Sequence, residues 1–296
     1  MEQIGKSMRT RELRDNTELI AQILNDPQIR AFIEEHHLSQ EQVKLSLPKF
    51  NQFYNERTKF EANDEAYSAK GYQPILSMNE GYADVSYLET AALKEAQATQ
   101  AIKKRIRLIN LPSSLKKIDT SDINWSDPNR LEVYSYLVQF MEGASAEQRG
   151  LYLYGSFGVG KSYLMAYLAN ELSARFEKST TLLHFPTFAV DIKDAINRGS
   201  VKEMIDDIKT SEVLVLDDLG AEQQSSWVRD DVLQVILQYR MQENLLTFFT
   251  SNLDFAGLER HLATSRSGDE TWQAKRVMER IRFLAKEVHL RGENRR

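Results

Sequence analysis

The chain has 296 residues, with 38 lysines and arginines against 43 aspartates and glutamates, a formal net charge of −5, 42% hydrophobic residues and no cysteine. At about 100 to 200 residues per domain, this length builds one or two domains with a full core and no covalent staples. The missing cysteines exclude a disulfide framework, a thiolate zinc site, a thioredoxin-like redox pair and a cysteine nucleophile.

Met1-Glu2-Gln3-Ile4-Gly5-Lys6 lacks the apolar region of a secretory signal, and apolar runs such as Val213–Leu216 fall far short of a membrane span. The sequence therefore reads as soluble and cytoplasmic, with no membrane partner. The whole net charge of −5 sits in residues 1–100, whereas Lys275 to Arg296 holds eight basic residues against three acidic ones. An anionic partner stays open, because a local basic face is what binds one.

Residues 1–105 read as a small, mainly helical domain. Leu19, Ile20, Ile23 and Leu24 share one helix face, Pro27 opens a second helix, and Ser39 with Gln42 has the form of a capping box before a third. Asn79-Glu80-Gly81 marks a hairpin turn between Gly71 and Leu88. Glu89 to Arg107 is a polar helical stretch ending in basic residues, and Leu111-Pro112-Ser113-Ser114 breaks it. Residues 106–126 are accordingly expected to be a linker and 127–296 a second domain.

In that second part the expected order is helix Asn129 to Met141, strand Leu151 to Tyr154, helix Lys161 to Ser173 and strand Thr181 to Phe185. Helices to Ile208, strand Val213 to Leu216, helix Ser226 to Met241 and strand Leu245 to Thr250 follow. Short apolar strands alternating with helices indicate a parallel sheet covered on both faces.

Gly155-Ser156-Phe157-Gly158-Val159-Gly160-Lys161-Ser162 fits the phosphate-binding pattern G-x-x-x-x-G-K-[ST], placed between a strand and a helix as the pattern requires. The glycines let successive backbone N–H groups face a phosphate, and the helix start adds positive potential. Lys161 is expected to reach the β- and γ-phosphates and the Ser162 hydroxyl to bind Mg²⁺. The bland alternative is a glycine-rich turn that packs helix on strand.

Two carboxylates, Asp217 and Asp218, end the apolar run Val213–Leu216. Asp217 is expected in the Mg²⁺ shell, and Asp218 orients or deprotonates the attacking water; a helix cap is the alternative. A third apolar run ends in Ser251-Asn252, where the Asn252 amide can bond both water and γ-phosphate, although such a pair is also common in plain turns. Arg276 and Arg280 lie on one helix face, either as a finger for a neighbouring subunit's site or as a solvated basic surface.

These motifs, with Leu216-Asp217-Asp218-Leu219-Gly220, Val235-Ile236-Leu237-Gln238-Tyr239-Arg240 and Glu279-Arg280-Ile281, resemble the bacterial primosomal helicase loaders, the DnaC/DnaI family of AAA+ ATPases. The resemblance covers residues 105–296, and the two-part chain favours the DnaI branch. It implies an α/β AAA+ P-loop fold with a five-stranded parallel sheet flanked by helices. Asp217 and Asp218 stand for the Walker B pair, Asn252 for sensor 1 and Arg280 for the arginine finger, with Arg276 as its rival. It also implies ATP and Mg²⁺ as ligands, slow regulated hydrolysis and self-association through the ATPase domains. The implied partners are single-stranded DNA and, through the amino-terminal domain, a hexameric replicative helicase.

Some DnaI-like loaders bind zinc through amino-terminal cysteines, which this chain lacks, so no zinc is expected. His36, His37, His184, His261 and His289 read as ordinary structural or surface positions. Lys193 and Arg198 are candidate DNA-phosphate contacts, whereas Phe185 and Phe188 are read as core before base-stacking positions. Arg291 is a candidate sensor 2. The competing functional readings are an IstB-like transposition helper and a nucleotide-binding adaptor without significant hydrolysis. A small-molecule kinase is disfavoured by the lack of a recognisable lid.

Overall fold

The computed structural model describes residues 18–116, 118, 123–125, 127–143, 149–265 and 268–294. The amino-terminal hexapeptide, part of the expected linker, and Arg295 and Arg296 of the basic stretch lie outside them. Contacts divide the chain into two compact units, Met1–Thr99 and Gln100–Arg296.

The first unit contains α1 (residues 18–24), α2 (Pro27–Glu35), α3 (Gln40–Glu61), β1 (Tyr72–Asn79) and β2 (Tyr82–Glu89). Asp26 caps α2 by accepting from the Gln28 and Ile29 N–H groups, and Pro27 sits where a missing N–H costs nothing. The Ser39–Gln42 capping box is complete. The hairpin turns through Glu80 and Gly81, both at positive φ as a type I′ turn demands, so that Asn79 pairs with Tyr82. Ile23, Ile29, Phe32, Phe50, Phe53 and Ala83 form the core of this unit.

After α4 (Ala91–Arg105), the second unit runs β3 (Ile106–Ile109), α5 (Leu131–Met141), β4 (Gly150–Tyr154), α6 (Lys161–Phe176), β5 (Thr180–His184), α7 (Phe185–Asp194), α8 (Val201–Lys209) and β6 (Val213–Asp217). A π-helical turn, Val228–Leu233, continues into α9 (Gln234–Gln242). There follow β7 (Leu246–Ser251), α10 (Phe255–Ala263), the short pair β8 (Thr264–Ser265) and β9 (Gly268–Asp269), α11 (Thr271–Leu284) and β10 (Ala285–His289). The main sheet has the order β10-β4-β7-β6-β5-β3, and every pairing in it is parallel.

One face of the sheet is covered by α7, α9, α10 and α11 and the other by α5 and α6, each with its own apolar cluster. Coverage on both faces is why the inner strands are unbroken apolar runs. Because β4, β7 and β6 are neighbours and parallel, their carboxyl ends open at one edge of the molecule, the place where ligands bind in such sheets.

The expected five strands become six, and the extra one, β3, falls inside the supposed linker. It pairs from Ile106↔Thr180 to Ile109↔Leu183. The basic texture around it concealed the strand: only Ile106 is fully buried, while Arg107 points outward to Asp207 at 2.7 Å. A charged residue on an outer strand is what a sheet edge tolerates.

Candidate active site

The loop from Gly155 to Gly160 leaves β4 and enters α6 at Lys161. Gly158 and Gly160 take φ of 74° and 96°, a left-handed backbone open to glycine at little cost. The loop and the first turn of α6 form one wall of a cleft of about 750 Å³; Asp217, Asp218, Thr250 and Asn252, at the ends of β6 and β7, line it too. Phe157 stands out at the rim, 68% exposed.

Within the cleft the polar groups are already tied together. The buried Lys161 ammonium donates to the Gly155 and Ser156 carbonyls at 2.8 and 2.9 Å and to Asn252 Oδ1 at 2.7 Å. The Asn252 amide donates in turn to Asp218 Oδ1 at 2.9 Å. Asp218 adopts φ of 60°, unusual for a side chain with a Cβ, and its N–H is held by Thr250 Oγ1 at 2.9 Å. His184 Nε2 stands 4.0 Å from the other Asp218 oxygen.

Asp217 is buried, and Thr250 Oγ1 donates to it at 2.7 Å. Burial pushes its carboxyl above the usual range, and hydrogen bonds from Thr250 and Ser162 oppose that shift without cancelling it. A desolvated carboxylate beside a serine hydroxyl, next to a loop of backbone donors, fits a nucleoside triphosphate with its divalent cation. Ser162 and Asp217 are the residues placed to hold that cation.

The structure brings Gly155 to Ser162, Asp217, Asp218 and Asn252 into one site. Arg280 is elsewhere, on α11, with Nε donating to Gln238 Oε1 at 2.8 Å and Nη1 to the Arg276 carbonyl; Arg276 itself is exposed. Lys193 lies half-buried in the last turn of α7, and Arg198 is exposed just beyond it. Phe185 and Phe188 are core residues. Arg291 is exposed, with Nε donating to His289 Nδ1 at 3.3 Å. His289 stacks on Tyr154, and His261 faces Glu222 at 3.4 Å. Among the described residues there is no group of three or more His, Cys, Asp or Glu side chains set to hold a metal by themselves.

Sequence reasoning missed the opposite wall, where Leu111, Pro112, Leu115 and Ile123 line the cleft. An apolar wall facing a phosphate loop suits a flat base, and the signal available for it was the Leu-Pro break just after β3. It also missed Arg130, which is 2% exposed and donates Nη2 to the Val159 carbonyl at 2.7 Å.

Residues 1–87 match the family described as the primosomal protein DnaI N-terminus, and residues 65–296 match the IstB-like ATP binding proteins. The replicative helicase loader DnaI of Bacillus subtilis (strain 168) is 32% identical over 311 aligned positions that span 100% of this chain and 99% of that protein. A crystal structure of DnaI is 42% identical, with a TM-score of 0.57 over 66% of this chain and 99% of its own. A proposed primosome component from Streptococcus pyogenes serotype M3 is 55% identical, with a TM-score of 0.56 over 66% of this chain and 98% of its own.

Proposed function

The chain belongs to the DnaI family of IstB-like ATP-binding proteins, and on that footing we propose that it is an ATP-dependent loader that delivers the replicative helicase to single-stranded DNA. What carries this reading is the pairing of a DnaI-type amino-terminal unit with a phosphate loop, Asp217, Asp218 and Asn252 gathered at one cleft. A transposition helper needs no such first unit, and an adaptor that only binds nucleotide has no use for Asp218 and Asn252 lining the cleft beside the phosphate loop.

The chemistry follows from the site. The loop N–H groups and Lys161 bind the β- and γ-phosphates, and Ser162 and Asp217 hold Mg²⁺, which neutralises triphosphate charge when bound. Asp218 accepts the proton of the attacking water, and Asn252 orients that water against the phosphate. On nucleotide binding Lys161 exchanges its bond to Asn252 for the phosphate, and hydrolysis by the isolated protein is slow. A cation from α11 of a second copy, Arg280 or the more exposed Arg276, supplies the missing positive charge as the protein assembles. Helicase binding through the first unit, and DNA contacts by Lys193 and Arg198, are what this assembly responds to in the cytoplasm.

ATP hydrolysis by the parent protein and by Lys161→Ala, with and without single-stranded DNA and the replicative helicase, tests the reading. Complex formation is followed by light scattering. A helicase complex whose hydrolysis responds to DNA or helicase and is lost in the variant is expected; no complex under any nucleotide would sink the loader assignment.

A further inference from the structure

The residues after β10 run along the phosphate loop. Leu290 N–H donates to the Tyr154 carbonyl at 2.7 Å, and the Leu290 carbonyl lies so close to Gly155 that any Cβ there would overlap it. Gly155 is not at positive φ, so this approach, more than backbone conformation, excludes a side chain at the first position of the loop. Four residues on, the Asn294 side chain rests against Gly158, where a Cβ would also overlap. Between these contacts, the Arg130 guanidinium stands beside Gly292, where a Cβ would come within 3.1 Å of Nη2.

Arg130 therefore stands between the loop and the segment. It grips the loop through the Val159 carbonyl, lines the cleft, and has Gly160 on one side and Gly292 on the other. A trans peptide unit is rigid, so holding the Val159 carbonyl also fixes the direction of the Gly160 N–H, one of the loop donors. Burying a guanidinium is costly unless its geometry is used, and a planar fork is suited to touching two elements at once.

We propose that Arg130 is a positioning residue that clasps Leu290–Asn294 onto the phosphate loop, so that nucleotide occupancy and the seating of this segment are coupled. The proposal rests on the nucleotide-binding part of the functional reading. Coupling is reciprocal: if the seated segment favours the phosphate-binding shape of the loop, bound nucleotide favours the seated segment. The segment after β10 thus reports nucleotide state at a surface, because residues 291–294 are exposed.

Two readouts on the full chain test it: ADP affinity, and tryptic cleavage after the exposed Arg291 resolved by mass spectrometry, with and without ADP. In the parent protein ADP is expected to slow that cleavage about fivefold or more. Arg130→Lys keeps the charge but offers one ammonium in place of a fork, and Asn294→Ala removes a surface contact without touching the core. Each is expected to bind ADP about fivefold to tenfold more weakly and to lose the nucleotide dependence of cleavage. Asn294→Ala should leave thermal unfolding without nucleotide unchanged, which guards against a mere folding defect in Arg130→Lys. Cleavage indifferent to bound ADP in the parent, or Asn294→Ala with parental affinity and protection, overturns the proposal while leaving the loader reading intact. Failure of the parent to bind ADP at all overturns both.

Discussion

The Asn252 side chain accepts a hydrogen bond from the Lys161 ammonium at 2.7 Å, and through its other atom it donates to Asp218. One amide thus joins the phosphate-loop lysine to the carboxylate proposed above to handle water. On the proposed function an entering γ-phosphate competes for Lys161 and releases the amide to the water and the phosphate, so Asn252 is expected to act after binding. Asn252→Ala is expected to lower the hydrolysis rate about 100-fold while changing ATP affinity by less than about threefold. Single-turnover phosphate release beside equilibrium nucleotide binding separates the two; a large loss of affinity with an intact rate would contradict the assignment.

Asp217 makes a prediction with a sign in pH. Burial raises its carboxyl pKa in the folded state, so the folded protein binds that proton more tightly than the unfolded chain does. The parent therefore loses stability as pH rises from below the ordinary aspartate range through the raised folded value. Asp217→Asn keeps the shape and the hydrogen bond from Thr250 but carries no charge to desolvate. Without nucleotide it should melt about 2–4 °C above the parent at pH 7, an advantage that closes as the pH falls below about 4. With Mg²⁺ and ATP the order should reverse and hydrolysis should be abolished. Calorimetry across pH, with and without ligand, reads both effects.

Much of this site is local in sequence. Gly155 to Ser162 are contiguous, and the glycine spacing carries its own reason. Asp217 and Asn252 each follow an apolar run, and a parallel sheet brings strand ends together, so their convergence follows once the alternation of strands and helices is recognised. What stayed hidden depends on distant pairing. Asn294 meets the phosphate loop because β10 returns beside β4, Arg130 meets it from the start of α5, and nothing near either residue signals that approach. Strand β3 was obscured by its own edge chemistry, since a four-residue strand that follows Arg105 and contains Arg107 reads as a basic helix end. The apolar wall at Leu111 and Leu115 was lost with it.

In the first unit, Asp26 caps α2 and forms an ion pair with Arg57 of α3, and both side chains are nearly buried. The Arg57 guanidinium, aided by the Ile29 and Gln28 N–H groups, outweighs burial and holds the Asp26 carboxyl below its usual range. A lowered folded pKa means stability present above the unfolded value and lost as the pH falls through the folded one. Asp26→Ala removes the cap and leaves the nearly buried Arg57 to the more distant, exposed Glu61, at a cost of about 3 kcal/mol. Hydrogen exchange in the full chain should then show residues 18–61 opening early. Helicase binding should weaken while ATP binding by the second unit persists; parallel loss of both would contradict separate roles for the units.

Arg240, in α9, is the largest fully buried side chain, and it closes four gaps at once. Its Nε donates to Thr247 Oγ1 at 2.8 Å, Nη1 to the Lys209 and Ser211 carbonyls at 3.0 and 2.6 Å, and Nη2 to the Leu246 carbonyl at 2.6 Å. Burial pushes its pKa down, and the acceptors that offset this lie at the end of α8 and the approaches to β6 and β7. Arg240→Met fills similar volume but leaves buried carbonyls without donors, an expected loss of about 3 kcal/mol or more. Arg240→Lys should recover little, since a compact ammonium cannot span the three segments. Arg107→Met is the control: its ion pair with Asp207 is half exposed on both sides, and its removal should cost less than about 1 kcal/mol. Denaturant midpoints for the three variants decide the matter. Equal losses for Arg240→Met and Arg107→Met would mean that the buried guanidinium contributes only its surface charge.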